Sequence, residues 1–158
     1  MRYLVDGHNL IPKLPGGSLR ILDDEERLIL LLQDFCRVER SSLEVYFDGA
    51  PAGYSGARSY GVIRAHFVQK GMTADQAILS RLRTLGASAK NWTVVTSDRQ
   101  VIVGAKELHA QVATSEQFAQ MMLDAQFKVA ELHKNSDKPV SKKDIEEGLS
   151  WFGGKDKD

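Results

Sequence analysis

Tyr3-Leu4-Val5-Asp6-Gly7-His8-Asn9 opens the chain with a short apolar run that stops on an aspartate. The arrangement returns twice, as Leu43-Glu44-Val45-Tyr46-Phe47 before Asp48 and as Trp92-Thr93-Val94-Val95-Thr96-Ser97 before Asp98. A fourth aspartate, Asp75, opens a helical pattern shortly after the run 62–68. Short β-branched and aromatic runs bounded by Gly, Asp and Asn read as strands. If they belong to one parallel sheet, their carboxyl ends share an edge, and open α/β sheets bind ligands along that edge. Carboxylates crowded into one crevice repel each other unless they are protonated or bridged by a cation. The pattern therefore asks for a hard divalent metal with oxygen ligands, the skeleton of a metal-dependent phosphodiesterase.

Between the runs the periodicity changes from two to 3.6. Helices are predicted over 23–40, with Leu28, Leu31, Leu32, Phe35 and Val38 at helical spacing, and over 73–85, with Ile78, Leu82 and Leu85 on one face. A short helix follows at 98–108, then a weak fifth strand at 111–113. The helix at 115–133 has Phe118, Met122, Ala125, Val129 and Leu132 as its buried stripe. The segment 48–61, rich in Gly and Ser, reads as a loop. Alternation of strand and helix predicts a mostly parallel sheet with helices on both faces, joined by right-handed crossovers. Residues 1–134 are expected to form one domain. The polar linker at 135–139 then leads into a short helix that starts in Ser141-Lys142-Lys143-Asp144 and ends at Trp151-Phe152, with the two aromatics packed back on the domain or anchoring a partner.

Composition narrows the class. Among 158 residues, 42% are hydrophobic and 27% charged, the ordinary balance of a globular domain. Twenty-one basic residues face 21 acidic ones, so binding to nucleic acid has to rest on a local basic rim rather than a global field. Cys36 is the sole cysteine, which excludes a disulfide framework and a thiolate metal cluster; it reads as a small buried hydrophobe. The N-terminal residues lack the pattern of a signal peptide, and no apolar stretch approaches the roughly 20 residues of a membrane helix. The expected location is the cytoplasm, with no membrane partner.

Each aspartate also has an ordinary explanation. Asp-Gly at 6–7 and 48–49 is a turn signal, and Asp75 and Asp98 stand where acids favour a helix start. Four such coincidences on one sheet edge weigh in favour of a site. Asn9, three residues past Asp6, adds an amide able to hold a water or a phosphate oxygen.

In order and spacing, Leu4-Val5-Asp6-Gly7-His8-Asn9-Leu10-Ile11, Phe47-Asp48-Gly49, Thr73-Ala74-Asp75-Gln76-Ala77-Ile78 and Val95-Thr96-Ser97-Asp98-Arg99 resemble the NYN domain of the PIN-like superfamily, in its YacP-like bacterial branch. The resemblance implies a three-layer PIN-like fold with a five-stranded sheet in the order 3-2-1-4-5. It also implies a metal-dependent endoribonuclease, acting in RNA processing or in mRNA decay linked to translation, with RNA and the ribosome as partners. Carried onto this sequence, the acidic cluster falls on Asp6, Asp75 and Asp98, with Asn9 and Asp48 beside it. The chain departs from the pattern at His8, where tyrosine is commoner, and at Gln100, where an acid is common.

On this reading Asp6, Asn9, Asp75 and Asp98 are the candidate catalytic residues, and Asp6, Asp48, Asp75 and Asp98 are the candidate ligands for Mg²⁺ or Mn²⁺. Ser97 would help orient a water or phosphate. Arg58, Arg64, Lys70 and Arg99 are expected to form the basic rim for RNA, with Tyr54 and Tyr60 able to stack on unpaired bases. Two rivals remain: a noncatalytic RNA-binding or ribosome-associated module, and a haloacid-dehalogenase-like phosphatase. The phosphatase would want an aspartate where His8 stands.

Overall fold

The structure, a computed structural model, describes residues 1–14 and 24–134. Its strands and helices follow the predicted alternation. The strands are β1 (Arg2–Asp6), β2 (Ser42–Ala50), β3 (Gly56–Tyr60), β4 (Ile63–Gln69), β5 (Trp92–Val95) and β6 (Gln111–Ala113). The helices are α1 (Gly7–Leu10), α2 (Asp24–Glu39), α3 (Ala74–Leu85), α4 (Arg99–Glu107) and α5 (Ser115–Lys134). The expected linker and terminal helix, with Trp151 and Phe152, lie outside the described residues.

The sheet has the order β3-β4-β2-β1-β5-β6. Every pairing is parallel except β3 with β4. Without β3, this is the expected five-stranded order. The sixth strand corrects the reading of 48–61 as loop: Gly56–Tyr60 doubles back antiparallel on β4, with Gly56 opposite Phe67 and Tyr60 opposite Ile63. Its first four residues are exposed, so backbone hydrogen bonds rather than an apolar face hold it, and no alternation announced it.

Alternating side chains divide the sheet between two cores. Tyr3, Val5, Leu43, Val45, Phe47, Ile63 and Ala65 face α2 and α5. There Tyr3 meets Phe35 and Phe118 edge to face at centroid distances of 5.8 and 5.1 Å, and the two phenylalanines tilt together at 4.9 Å, tying both helices to β1. Leu4, Tyr46, Val68 and Val94 face α3 and α4, against Ile78, Leu82, Val101 and Ala105. In α5, Phe118, Met122 and Ala125 are buried as expected, but Leu132 is 64% exposed.

The α3 face also buries a charge. Glu44, 8% exposed, accepts hydrogen bonds from Tyr46 Oη (2.7 Å), Arg81 Nε (3.1 Å) and Arg81 Nη2 (2.9 Å), and His66 Nε2 lies 3.2 Å away. Burial alone would raise the carboxyl's pKa, but the contacts with His66, Arg81 and Tyr46 outweigh it and hold the group at about 2. Arg81 thereby pins α3, and Asp75 at its start, to the sheet.

Two outcomes follow from these contacts. Gly7 packs so closely on Phe47 that an added Cβ would overlap the buried ring, so Gly7→Ala should cost about 1–3 kcal/mol in denaturant unfolding. Because Glu44 has its folded pKa below the ordinary 4.5, its stabilisation is complete above that value and fades as pH falls towards about 2. Glu44→Gln should therefore flatten the acid limb of the stability curve, and Arg81→Ala, with its partly exposed side chain, should cost about 1.5 kcal/mol in urea titrations at pH 7.

Candidate active site

The carboxyl ends of β1, β2 and β5 stand side by side, with Asp6 opposite Tyr46 and Val5 opposite Val95. Asp6 shares the strand face of Leu4, the α3 side, and there it meets Asp75 in the first turn of α3. The two carboxyl groups are close enough to shift each other's titration, and the crowding favours a proton on Asp6. Asp6 is 8% exposed. Burial first, then the hydrogen bond and charge of Asp75 and the charge of Asp48, push its pKa up to about 7 against the single Asn9 backbone N–H that opposes them. Asp75 is raised too, by burial and by the charges of Asp98 and Asp48. The charges of Asp48 and Asp98 thus both bear on Asp75, and that of Asp48 bears on Asp6 as well.

Local structure fixes each of them. Asp6 caps α1, its Oδ1 accepting from Asn9 N at 3.3 Å. Asp98 caps α4, its Oδ1 accepting from Gln100 N at 2.9 Å and from Val101 N at 3.3 Å. Thr73 and Gln76 close a capping box around the start of α3, which leaves Asp75 without a capping task. Asp48 lies where the β2–β4 register shifts between Phe47 and Ala50, and Gly49 after it takes φ +77°, a turn that a side chain would strain.

Asn9 is held rather than open on its oxygen side. Its Oδ1 accepts from Ser97 N (2.9 Å) and from Ser115 Oγ (2.6 Å), joining the ends of β1 and β5 to the start of α5. Ser97 Oγ donates in turn to Glu116 Oε1 at 2.5 Å and accepts from Ser115 N at 3.1 Å. Glu116, which also sits 3.5 Å from Lys13, brings a further acid to this edge. It follows the weak strand 111–113, but as a glutamate in the first turn of a helix it reads as ordinary helix electrostatics.

His8 carries an unforeseen contact. Its Nδ1 lies 3.0 Å from Asp48 Oδ1 and its Nε2 lies 2.6 Å from Glu25 Oε2, at the start of α2. The Glu25 hydrogen bond, opposed by burial and helped by Asp48, lifts the imidazole to about 8.

The basic residues are dispersed. Lys70 follows β4 at the carboxyl edge, its N–H bonded to Ala50 O, and Arg99 begins α4 beside Asp98. Arg58 lies over the Phe67 ring at 4.8 Å, on the outer side of the sheet. Arg64 pairs with Glu44, near the amino end of β2, and so stands away from the acids. Tyr54 is exposed, whereas Tyr60 packs against the core.

Among the described residues no three His, Cys, Asp or Glu side chains already converge at metal-ligand spacing. The candidate ligands Asp6, Asp48, Asp75 and Asp98 nonetheless all offer oxygen, and the raised pKa values of Asp6 and Asp75 mark where a cation's charge is wanted. That chemistry fits Mg²⁺ or Mn²⁺.

Residues 3–151 match the family model described as the YacP-like NYN domain. The chain belongs to that family. It is a family of PIN-like nucleases. Among solved structures, the YacP-like fold here is similar to the crystal structure of Rae1 (YacP) from Bacillus subtilis, with a TM-score of 0.70 and 19% identity, covering 85% of this chain and 80% of that one. The W164L mutant of the same protein gives 0.69 and 18%, covering 96% and 92%. At such identities the likeness shows the fold alone. No curated protein matches the chain in sequence. No helix among the described residues is long and apolar enough to cross a membrane.

The proton on Asp6 has a measurable consequence. Asp6 rises from 3.8 to about 7 on folding, so in chelator the native state holds a proton that the unfolded chain has released. Stability should fall as pH climbs from about 4 through 7, and His8, raised from 6.5 to about 8, extends the fall. Thermal melts in EDTA should show Asp6→Asn more stable than wild type at pH 8, on the order of 1–3 kcal/mol, and less sensitive to pH.

Proposed function

We propose that the protein is a metal-dependent endoribonuclease that hydrolyses RNA phosphodiester bonds at the Asp6–Asp75 edge. The observation that carries this reading is the pairing of buried Asp6 with half-buried Asp75. Two acids pressed together with their pKa values raised are costly to the metal-free fold, and a divalent cation would relieve that cost. Asp6, Asp75 and Asp98 would hold Mg²⁺ or Mn²⁺, with Asp48 contributing charge from the side. When bound, such a cation supplies acidification of a water and polarisation of a phosphoryl oxygen.

The chain's own groups supply the rest. Asp98, anchored on one oxygen by the α4 N–H groups, keeps its other oxygen for the cluster. Asn9 locks the ends of β1 and β5 through Ser97 and Ser115, so the amide positions the site instead of offering its oxygen to substrate. Lys70 and Arg99, at the same edge, are placed to take the RNA backbone, and exposed Tyr54 is available to stack on a base. Arg58, seated on Phe67, would extend the rim outwards. Arg64, beside Glu44, is the weakest member of the expected set. Attack by water on phosphorus, with the 3′ oxygen leaving and taking up a proton, would give a 5′ phosphate and a 3′ hydroxyl.

Asp6→Asn, Asp75→Asn and Asp98→Asn should each lower RNA cleavage by several powers of ten in the presence of Mn²⁺ while RNA affinity holds or rises. Lys70→Ala should instead weaken binding and flatten its salt dependence. Gel-based cleavage assays and filter binding over a salt series read both. Aspartate variants that cut as fast as wild type would place the chemistry elsewhere. A wild type that binds RNA but never cuts it with metal present would favour the noncatalytic module.

A further inference from the structure

His8 lies between two carboxylates that the chain brings from separate layers. Its Nε2 is 2.6 Å from Glu25 Oε2 on α2, and its Nδ1 is 3.0 Å from Asp48 Oδ1 on β2. The ring also rests against Phe47, 5.3 Å between centroids, and Phe47 is fully buried. With both nitrogens engaged and one face packed, the imidazole cannot turn without breaking contacts on each side. Asp48 passes the linkage on: its other oxygen, Oδ2, accepts from Ala74 N at 3.5 Å, at the first residue of α3 and next to Asp75. A continuous chain of contacts therefore crosses the acidic edge from α2, on one face of the sheet, to α3 on the other.

An acid in the first turn of a helix normally needs no explanation beyond the helix dipole, and an exposed ion pair contributes little. Glu25 differs because its partner is half buried, gripped at its other end and packed on the core. From this geometry we infer that Glu25 and His8 form a strut that sets the position of Asp48 and, through Ala74, of the turn carrying Asp75. Glu25 is then a positioning residue for the acid cluster, and the inference rests on the metal-dependent reading of that cluster. Groups that orient metal-binding side chains without touching the metal commonly govern its affinity.

The test is Mn²⁺ binding by calorimetry on the full chain, with melting in EDTA followed in parallel. Glu25→Ala should weaken Mn²⁺ binding by roughly tenfold, the lower end for groups that orient ligands. Glu25→Gln should recover most of the loss, because its amide oxygen still accepts from Nε2. In a His8→Ala background the further change Glu25→Ala should alter nothing, since the strut is already cut. Two results would overturn the inference: a Glu25→Ala affinity within about twofold of wild type, or an equal loss with and without His8. A purely structural role would lower the melting temperature in EDTA and leave the Mn²⁺ affinity alone. Failure of the underlying reading looks different, for then wild type itself neither binds Mn²⁺ nor cuts RNA.

Discussion

Repulsion between the Asp6 and Asp75 carboxyls is the constraint around which this molecule is arranged. Left to relax, two such groups would separate and hydrate. They are kept together because each is fixed by something stronger. Asp6 ends the central strand of the sheet, flanked by parallel neighbours on both sides, and it caps the helix that follows. Asp75 sits in a helix whose start is closed by Thr73 and Gln76 and whose body is buried through Ile78 and Leu82. Two apolar cores, one on each face, offset the local cost at the edge.

The α3 side of the sheet shows how far neighbours decide the state of a buried acid. Glu44 and Asp6 are equally hidden, each 8% exposed, on the same face and beneath the same helix. Glu44 faces Arg81 and stays ionised down to about 2, whereas Asp6 faces Asp75 and holds its proton to about 7. Helix α3 supplies the partner in both cases, a guanidinium in its second half and a carboxyl in its first turn. The first pairing fastens the helix; the second keeps the edge receptive to positive charge.

Much of this was legible in the residues. Strand-end aspartates after apolar runs predicted the shared edge, and the order of the five parallel strands followed the family resemblance. Strand β3 escaped notice because Gly56-Ala57-Arg58-Ser59-Tyr60 has no buried alternation; its pairing lies in the backbone, which side-chain patterns do not record. The buried ion pair of Glu44 was hidden inside an apolar run, and its partner comes from another element altogether. Arg64 carries the charge of a rim residue, and charge is all that its sequence position records. Its place in β4, opposite Glu44, sets it near the amino end of the strands. The contact between His8 and Glu25 joins positions with no periodic relation, so only the folded chain brings it into view.

Strand β1 lies between β2 and β5, and Arg2 pairs with both Ser42 and Trp92. Strand β1 must therefore wait for a partner encoded some 90 residues later. Long-range pairing of this kind slows folding. It also means that Asp6 and Asp98 have no common edge until β5 has emerged and docked. During synthesis the emerging chain carries these acids dispersed, and they come to one edge only once β5 has docked.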